Sequence, residues 1–335
     1  AEPVINPRHL QSVFIARNRE FWRDHSALAW NILFPVLLIA GFAFGFSDER
    51  KSYMVGVVSE ATETVAFLDI PHIQIVELDA PEPGITKIER HQLDLLIDLD
   101  SGSYWVNQDS DKGFFLEQAL NQLDPDRFAR QPVSGKELRY VDWVVPGILA
   151  MNIMFNALFG IGYVIVRYRK NGVLKRLKAT PLSALEFLLA QLGSRLWVIL
   201  VVNSAVYIGC NIFVDFSMHG SYLALLAIFT LGSISLISLG LLVAARSSSE
   251  ELAGGLLNLI SWPMMFLSGV WFSLEGLEPW VQDLAMIFPL THTISAARAI
   301  MIDGASLGEL LPQISILAAM SVVFLIIGSF MFKWE

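Results

Sequence analysis

The sequence predicts an all-α polytopic membrane protein. It has six transmembrane helices, an N-terminal interfacial helix, a small extracytoplasmic α/β domain between spans one and two, and a re-entrant segment between spans five and six. Three observations predict this. Of 335 residues, 54% are hydrophobic and 16% charged, with mean hydropathy +0.53, whereas a soluble domain carries about 25% charged residues. Six apolar runs approach or exceed the length that crosses a bilayer, about 20 residues: 28–46, 144–166, 196–214, 222–245, 252–272 and 314–332. The basic residues between the runs fall on one side of the membrane only if there are six spans with both termini in the cytoplasm. This composition excludes a disordered chain, a coiled coil and an ordinary cytosolic enzyme. The net charge of −9 argues against a nucleic-acid binder, which is usually basic. The single cysteine, Cys210, excludes an internal disulfide or a cysteine-cluster metal site, and its apolar surroundings suggest a buried, inert thiol.

The elements follow in order. The chain begins at Ala1 rather than Met, so native residues are expected to be missing or processed. Residues 1–25 are expected to form an amphipathic helix on the cytoplasmic face. There Leu10, Val13, Phe14, Ala16, Phe21 and Trp22 are interleaved with Arg17, Arg19, Glu20, Arg23 and Asp24, as interfacial anchors require. Span one, 26–46, lies too far into the chain and has too many successors to be a cleaved signal peptide.

Residues 47–140 read as a soluble α/β domain: strands at 53–58, 72–78, 93–99 and 104–107, and helices at 62–68, 85–91 and 114–123. Phe115, Leu116, Ala119, Leu120 and Leu123 would form the apolar face of the last helix, and Pro81, Pro83 and Gly84 are expected to break the chain. By charge parity the domain faces outward. It holds 18 acidic and 9 basic residues, and the 14 of each sign elsewhere cancel, so the net charge belongs to this domain. Asp98, Asp100, Asp109 and Asp111 lack the calcium-loop pattern and read as an acidic solvated surface.

Residues 141–335 carry spans two to six. Arg167, Arg169, Lys170, Lys175, Arg176 and Lys178 follow span two with no acid among them. Val173, Leu174 and Leu177 share a helical face, Thr180-Pro181 ends that helix, and Ser183 with Glu186 forms a capping box for the next. A short cytoplasmic helix, a sharp break and a helix entering the membrane could form a lever under a cytoplasmic partner. Topology-setting charge with an interfacial helix explains the segment as well. Asn152 and Asn156 lie one turn apart on span two. With Asn258 in span five they are candidates to line a pathway, because polar groups inside spans are costly, although helix-packing hydrogen bonds would also account for them. Pro263 should kink span five, and Arg195 is expected to snorkel to the surface. The stretch 284–302 is apolar but interrupted by Pro289, His292 and Arg298, which suits a re-entrant element rather than a seventh span.

The residues Arg169–Phe187, with Asn171-Gly-Val-Leu-Lys-Arg-Leu177 and Thr180-Pro-Leu-Ser183, resemble the cytoplasmic motif of bacterial ATP-binding-cassette (ABC) exporter permeases of type 2. So do Val145-Pro-Gly147, the stretch from Phe266 to Trp280, Phe288-Pro-Leu-Thr-His292 and 296–302. The resemblance runs from Pro7 through nearly the whole chain. The insertion of about 90 residues after span one departs from the shortest members and is similar to longer ones that export drugs, lipids or sodium ions.

The resemblance implies a non-catalytic transport subunit in the bacterial inner membrane, with two copies, or one copy and a related permease, forming the pathway. Two ABC ATPase subunits would bind below and carry the ATP and magnesium, since this chain has no Gly-x-x-x-x-Gly-Lys-Ser/Thr loop and no cofactor of its own is expected. A periplasmic adaptor is a further possible partner, besides membrane lipid. The ATPase contacts would lie at 10–22 in the interfacial helix and at 171–179 within a coupling segment 167–190. Phe14, Arg17, Trp22, Val173, Leu174, Lys175, Arg176 and Leu177 are the coupling residues. Pro289, His292 and Arg298 would form a gate in the re-entrant segment 274–305. An ion-gradient-driven secondary transporter or channel is the alternative, but it would need ionisable groups near mid-membrane. A membrane-anchored sensor would not need five further spans.

Overall fold

The computed structural model describes residues 7–45, 53–58, 65–125, 127–135, 138–246, 249–274 and 277–332. They divide into two compact units, one within 47–140 and one comprising the rest.

The helical unit opens with α1 (Pro7–Arg23) and α2 (His25–Gly45), separated at Asp24. Then come α5 (Tyr140–Lys170), α6 (Val173–Lys178), α7 (Ala184–Val214), α8 (Tyr222–Arg246), α9 (Glu250–Leu267), α10 (Pro279–Ala285), α11 (Pro289–Met301) and α12 (Leu311–Met331). The helices α5, α7, α8 and α12 are each long and apolar enough to cross a membrane, and up to six spans result if two bent pairs, α1 with α2 and α10 with α11, each count as one. The helix α5 is buried along most of its length. Around it α8 packs against α7, α11 and α12, while α1 and α2 pack against α7. Exposed Ile212, Phe213, Leu223 and Phe330 face outward, as expected of helices with lipid for solvent.

Two boundaries differ from the sequence reading. The run 252–272 is not one continuous helix: α9 stops at Leu267, and Gly269 takes the left-handed conformation at φ +76°, which is cheap only for glycine. Pro263 lies inside α9. The apolar stretch 284–302 is broken, with α10 and α11 meeting at 95°. Pro289 occupies the first turn of α11, where its missing N–H costs nothing.

The second unit holds, among its described residues, a five-stranded sheet in the order β2-β1-β3-β4-β5. Its strands are β1 (Tyr53–Val58), β2 (Ile73–Leu78), β3 (Leu95–Asp98), β4 (Ser103–Asn107) and β5 (Ala129–Val133). Only the β3–β4 pair is antiparallel. Alternation along β3 sends Leu95 and Ile97 into a core with Phe67, Leu116 and Leu120, and Leu96 into another with Ile88 and Leu93. The helix α3 (Pro81–Glu89) supplies Ile88, and α4 (Asp111–Leu123) supplies Leu116 and Leu120.

Three expectations for this unit are corrected. Pro81, Pro83 and Gly84 open α3 instead of breaking the chain, because proline is tolerated in the first turn. Gly84 also lets α3 approach the sheet, since a Cβ there would lie 2.6 Å from Leu96. The buried face of α4 is Gly113, Leu116, Glu117 and Leu120, while Phe115 and Leu123 are exposed. Of the helix expected at 62–68, residues 62–64 lie outside the described residues, and a single 3-10 turn covers Ala66–Asp69. Asp98 serves the β3–β4 turn. Its carboxylate accepts from the Asp100 and Ser101 amides at 3.0 and 3.2 Å and from the Ser101 hydroxyl at 2.6 Å.

Candidate functional site

The short helix α6 follows a left-handed turn at Gly172, φ +68°. Leu174 is fully buried and Val173 and Leu177 are half-buried, while Lys175, Arg176 and Lys178 are exposed. One apolar side therefore seats the helix and a basic side is exposed. Beyond Pro181, the Ser183 hydroxyl accepts from the Glu186 amide at 3.2 Å and the Glu186 carboxylate accepts from the Ser183 amide at 2.8 Å. This is the capping box read from the sequence.

Beside it, α1 lies against α7. Its two faces differ. Phe14 and Trp22 meet Trp197 in a shallow apolar recess, whereas Arg17 and Phe21 are buried. Arg17 Nη1 donates to Glu20 at 2.8 Å and its Nη2 to the Gly160 carbonyl at 3.2 Å. Glu20 also accepts from Arg167 at 3.1 Å and from the Tyr168 hydroxyl. Burial pushes the Glu20 carboxyl up, but the Tyr168 hydroxyl and the Arg17 and Arg167 charges outweigh it and hold the carboxyl below the usual range. Arg169, read from the sequence as topology-setting charge, donates to the Ala244 and Ala245 carbonyls at 3.0 and 3.1 Å. It thereby satisfies acceptors that the end of α8 leaves open.

Behind this polar layer, α1, α2, α5, α7 and α9 line an open cavity of about 740 Å³. Asn152 and Asn156 line it together, with the Asn156 amide donating to the Asn152 side-chain oxygen at 3.0 Å. Asn258 does not join them: its exposed amide bonds the Gly254 carbonyl at 2.9 Å. Arg195 does not snorkel. It is 9% exposed and lines the cavity. Its Nε donates to the Asn156 carbonyl at 2.7 Å and its Nη2 to the Asn156 side-chain oxygen at 3.2 Å. The bare Gly160, one turn beyond Asn156, makes the room, since a Cβ there would sit 1.8 Å from the guanidinium carbon. The sequence reading missed Gly160, Glu20 and the cavity's Phe155, Phe159, Trp262 and Trp271. A glycine four residues after Asn156 was the available signal.

The re-entrant candidates lie elsewhere in the helical unit. His292 is buried with Nε2 2.8 Å from the Met286 carbonyl, which ties α11 back across the bend. Arg298 donates to the Trp143 carbonyl at 3.0 Å and the Val270 carbonyl at 3.3 Å, with its guanidinium 3.5 Å from the centre of the Trp143 ring. It fastens α11 to the start of α5 and the turn after α9.

Comparison with known proteins places these features in context. The inner membrane transport permease YhhJ of Escherichia coli is 27% identical over 56% of this chain, and the match spans 51% of that protein's length. The probable multidrug ABC transporter permease YbhS of E. coli is 18% identical over 99% of this chain and 96% of its own length. The ABC transporter G family member 20 of Dictyostelium discoideum is 25% identical over 63% of the chain, but only 29% of that protein is covered. The family described as ABC-2 type transporter matches residues 8–302. The chain is a multi-pass membrane protein and belongs to the ABC-2 type transporter family.

Proposed function

We propose that this chain is the permease subunit of an ABC exporter. It works as a dimer, with itself or a related permease, above two separate ATPase subunits. It moves a hydrophobic or amphipathic substrate, a drug or lipid, out of the cytoplasm or inner leaflet. ATP and magnesium belong to the ATPase. In this reading the membrane part has six spans with a re-entrant α10–α11 element and both termini cytoplasmic, and 47–140 faces outward, where a periplasmic adaptor could dock.

The observation that carries the reading is α6: a helix seated by Leu174 and exposing Lys175 and Arg176, followed by a break at Thr180-Pro181 and a capping box that opens α7. The end of the helical unit that holds Arg167, Arg169 and Lys170 also holds α1, as the Arg167–Glu20 pair shows, which suits a cytoplasmic face. The printed name of YbhS, a probable multidrug permease, supports the substrate class.

The test is to co-express the chain with a candidate ABC ATPase, then measure co-purification and ATP hydrolysis after reconstitution. The ATPase is expected to co-purify and its hydrolysis to respond to amphipathic compounds. If no ATPase associates and transport follows a proton or sodium gradient alone, the reading is wrong.

A further inference from the structure

We propose that the cavity behind α1 is a binding site for amphipathic anions, molecules with a phosphate or carboxylate head and an apolar tail. This deepens the reading of the chain as a permease and rests on it. The cavity has a polar end and an aromatic body. At the polar end Arg195 spends two of its donors on Asn156, and its guanidinium lies 5.5 Å from the centre of the Phe21 ring. Among the described residues it pairs with no carboxylate. A guanidinium nine-tenths buried without a counter-ion is costly, and an acidic head group would repay that cost through a charge-assisted hydrogen bond.

The other charges do not supply the missing counter-ion. Arg17, Arg167 and Arg195 line the cavity against Glu20 and Asp24. Glu20 is already shared between Arg17 and Arg167, and Asp24 has a partner of its own. The balance at the polar end is therefore positive. Arg17 and Arg195 both converge on one turn of α5, Arg17 on the Gly160 carbonyl and Arg195 on Asn156. The body of the cavity is Trp30, Phe34, Phe155, Phe159, Trp262 and Trp271, an apolar wall for a tail. Positive charge at the head end selects against a cationic amphiphile, although the aromatic wall alone would accept one.

The three tryptophans make binding measurable. The full chain, without ATPase, is placed in phosphatidylcholine nanodiscs and titrated with dodecyl phosphate or dodecyltrimethylammonium while tryptophan emission is followed. The expected result is saturable binding that favours the anion by about tenfold or more, the scale of one charged hydrogen bond. Arg195→Gln should bring the ratio of the two affinities close to one. Gly160→Ala should do the same with the charge retained, because its Cβ displaces the guanidinium. The ratio does not depend on the fraction of protein folded, and each variant serves if the other fails to fold. A wild-type ratio at or below one, or a preference that survives either variant, overturns the proposal. Adding phosphatidylglycerol to the nanodiscs separates the sources of the anion. If that lipid blocks dodecyl phosphate the occupant is a membrane lipid, and if it does not the occupant is a free amphiphile; both outcomes uphold the site. Loss of anion binding would leave ATPase association untouched, so this proposal and the permease reading fail separately.

Discussion

Single residues of this chain act mostly as fasteners between helices. Arg298 grips two carbonyls and covers an indole ring, a planar fork that a lysine cannot reproduce. Arg298→Lys is expected to cost about 1–3 kcal/mol, read as a lower melting temperature of the detergent-solubilised chain. If Arg298 acted only as a gate, stability would stay unchanged while transport fell. Glu20 predicts a pH effect. A carboxyl held low in the fold stabilises it above the pH where the unfolded chain ionises, and that contribution fades as pH falls through the folded value. Wild type should therefore exceed Glu20→Gln in melting temperature at pH 7. The gap should close as pH drops below the ordinary carboxylate value of about 4.3. A gap that persists in acid would show that Glu20 acts through something other than its charge.

Elements were legible in the sequence where one signal decided them. Alternation gave β2, short runs beside turn signals gave β1, β3 and β4, and Ser183 with Glu186 gave the start of α7, because all of these signals are local. The strand β5 was not readable, since Arg130, Gln131 and Pro132 sit exposed on an edge that tolerates proline. The first turn of α3 was masked by prolines that normally signal breaks. The site divides along the same line. Asn152 and Asn156 could be paired from their spacing, but Arg195 could not be placed, because Gly160 admits it from another helix. Burial of Leu174 also sharpens the test of α6. Leu174→Asp would unseat the helix and confound loss of coupling with loss of fold. Lys175→Glu with Arg176→Glu changes only exposed charges and should leave stability within about 0.5 kcal/mol. It should weaken ATPase co-purification about three- to tenfold, the size expected for two rim charges. Undiminished co-purification would show that the ATPase docks elsewhere. Replacing Ser183 by Ala should cost about 1 kcal/mol through loss of the cap, measurable by thermal melting.

The whole molecule joins two kinds of solvent logic in one chain. The helical unit is neutral and exposes large apolar side chains, while residues 47–140 carry the entire net charge of −9 and hold two hydrophobic cores of their own. A unit with its own core and 94 residues lies within the size range of autonomous domains. The segment 47–140 expressed alone is therefore expected to be soluble and monomeric, and to melt cooperatively. One buried group gives it a dependence on alkaline pH. Burial pushes the Tyr104 hydroxyl up, and so does its hydrogen bond to Glu117 at 2.8 Å. Arg130, 2.5 Å from the same carboxylate, balances Glu117. A hydroxyl whose folded pKa is raised contributes stability that is complete below the unfolded value, about 10, and is lost as pH rises through the folded one. Wild type should thus lose stability relative to Tyr104→Phe above pH 10 and keep a constant offset from it at pH 7 to 9, followed by circular dichroism melts. A pH-independent difference would show that Tyr104 stays neutral throughout or acts by packing alone. An insoluble or molten fragment would show that the cores need the helical unit to close.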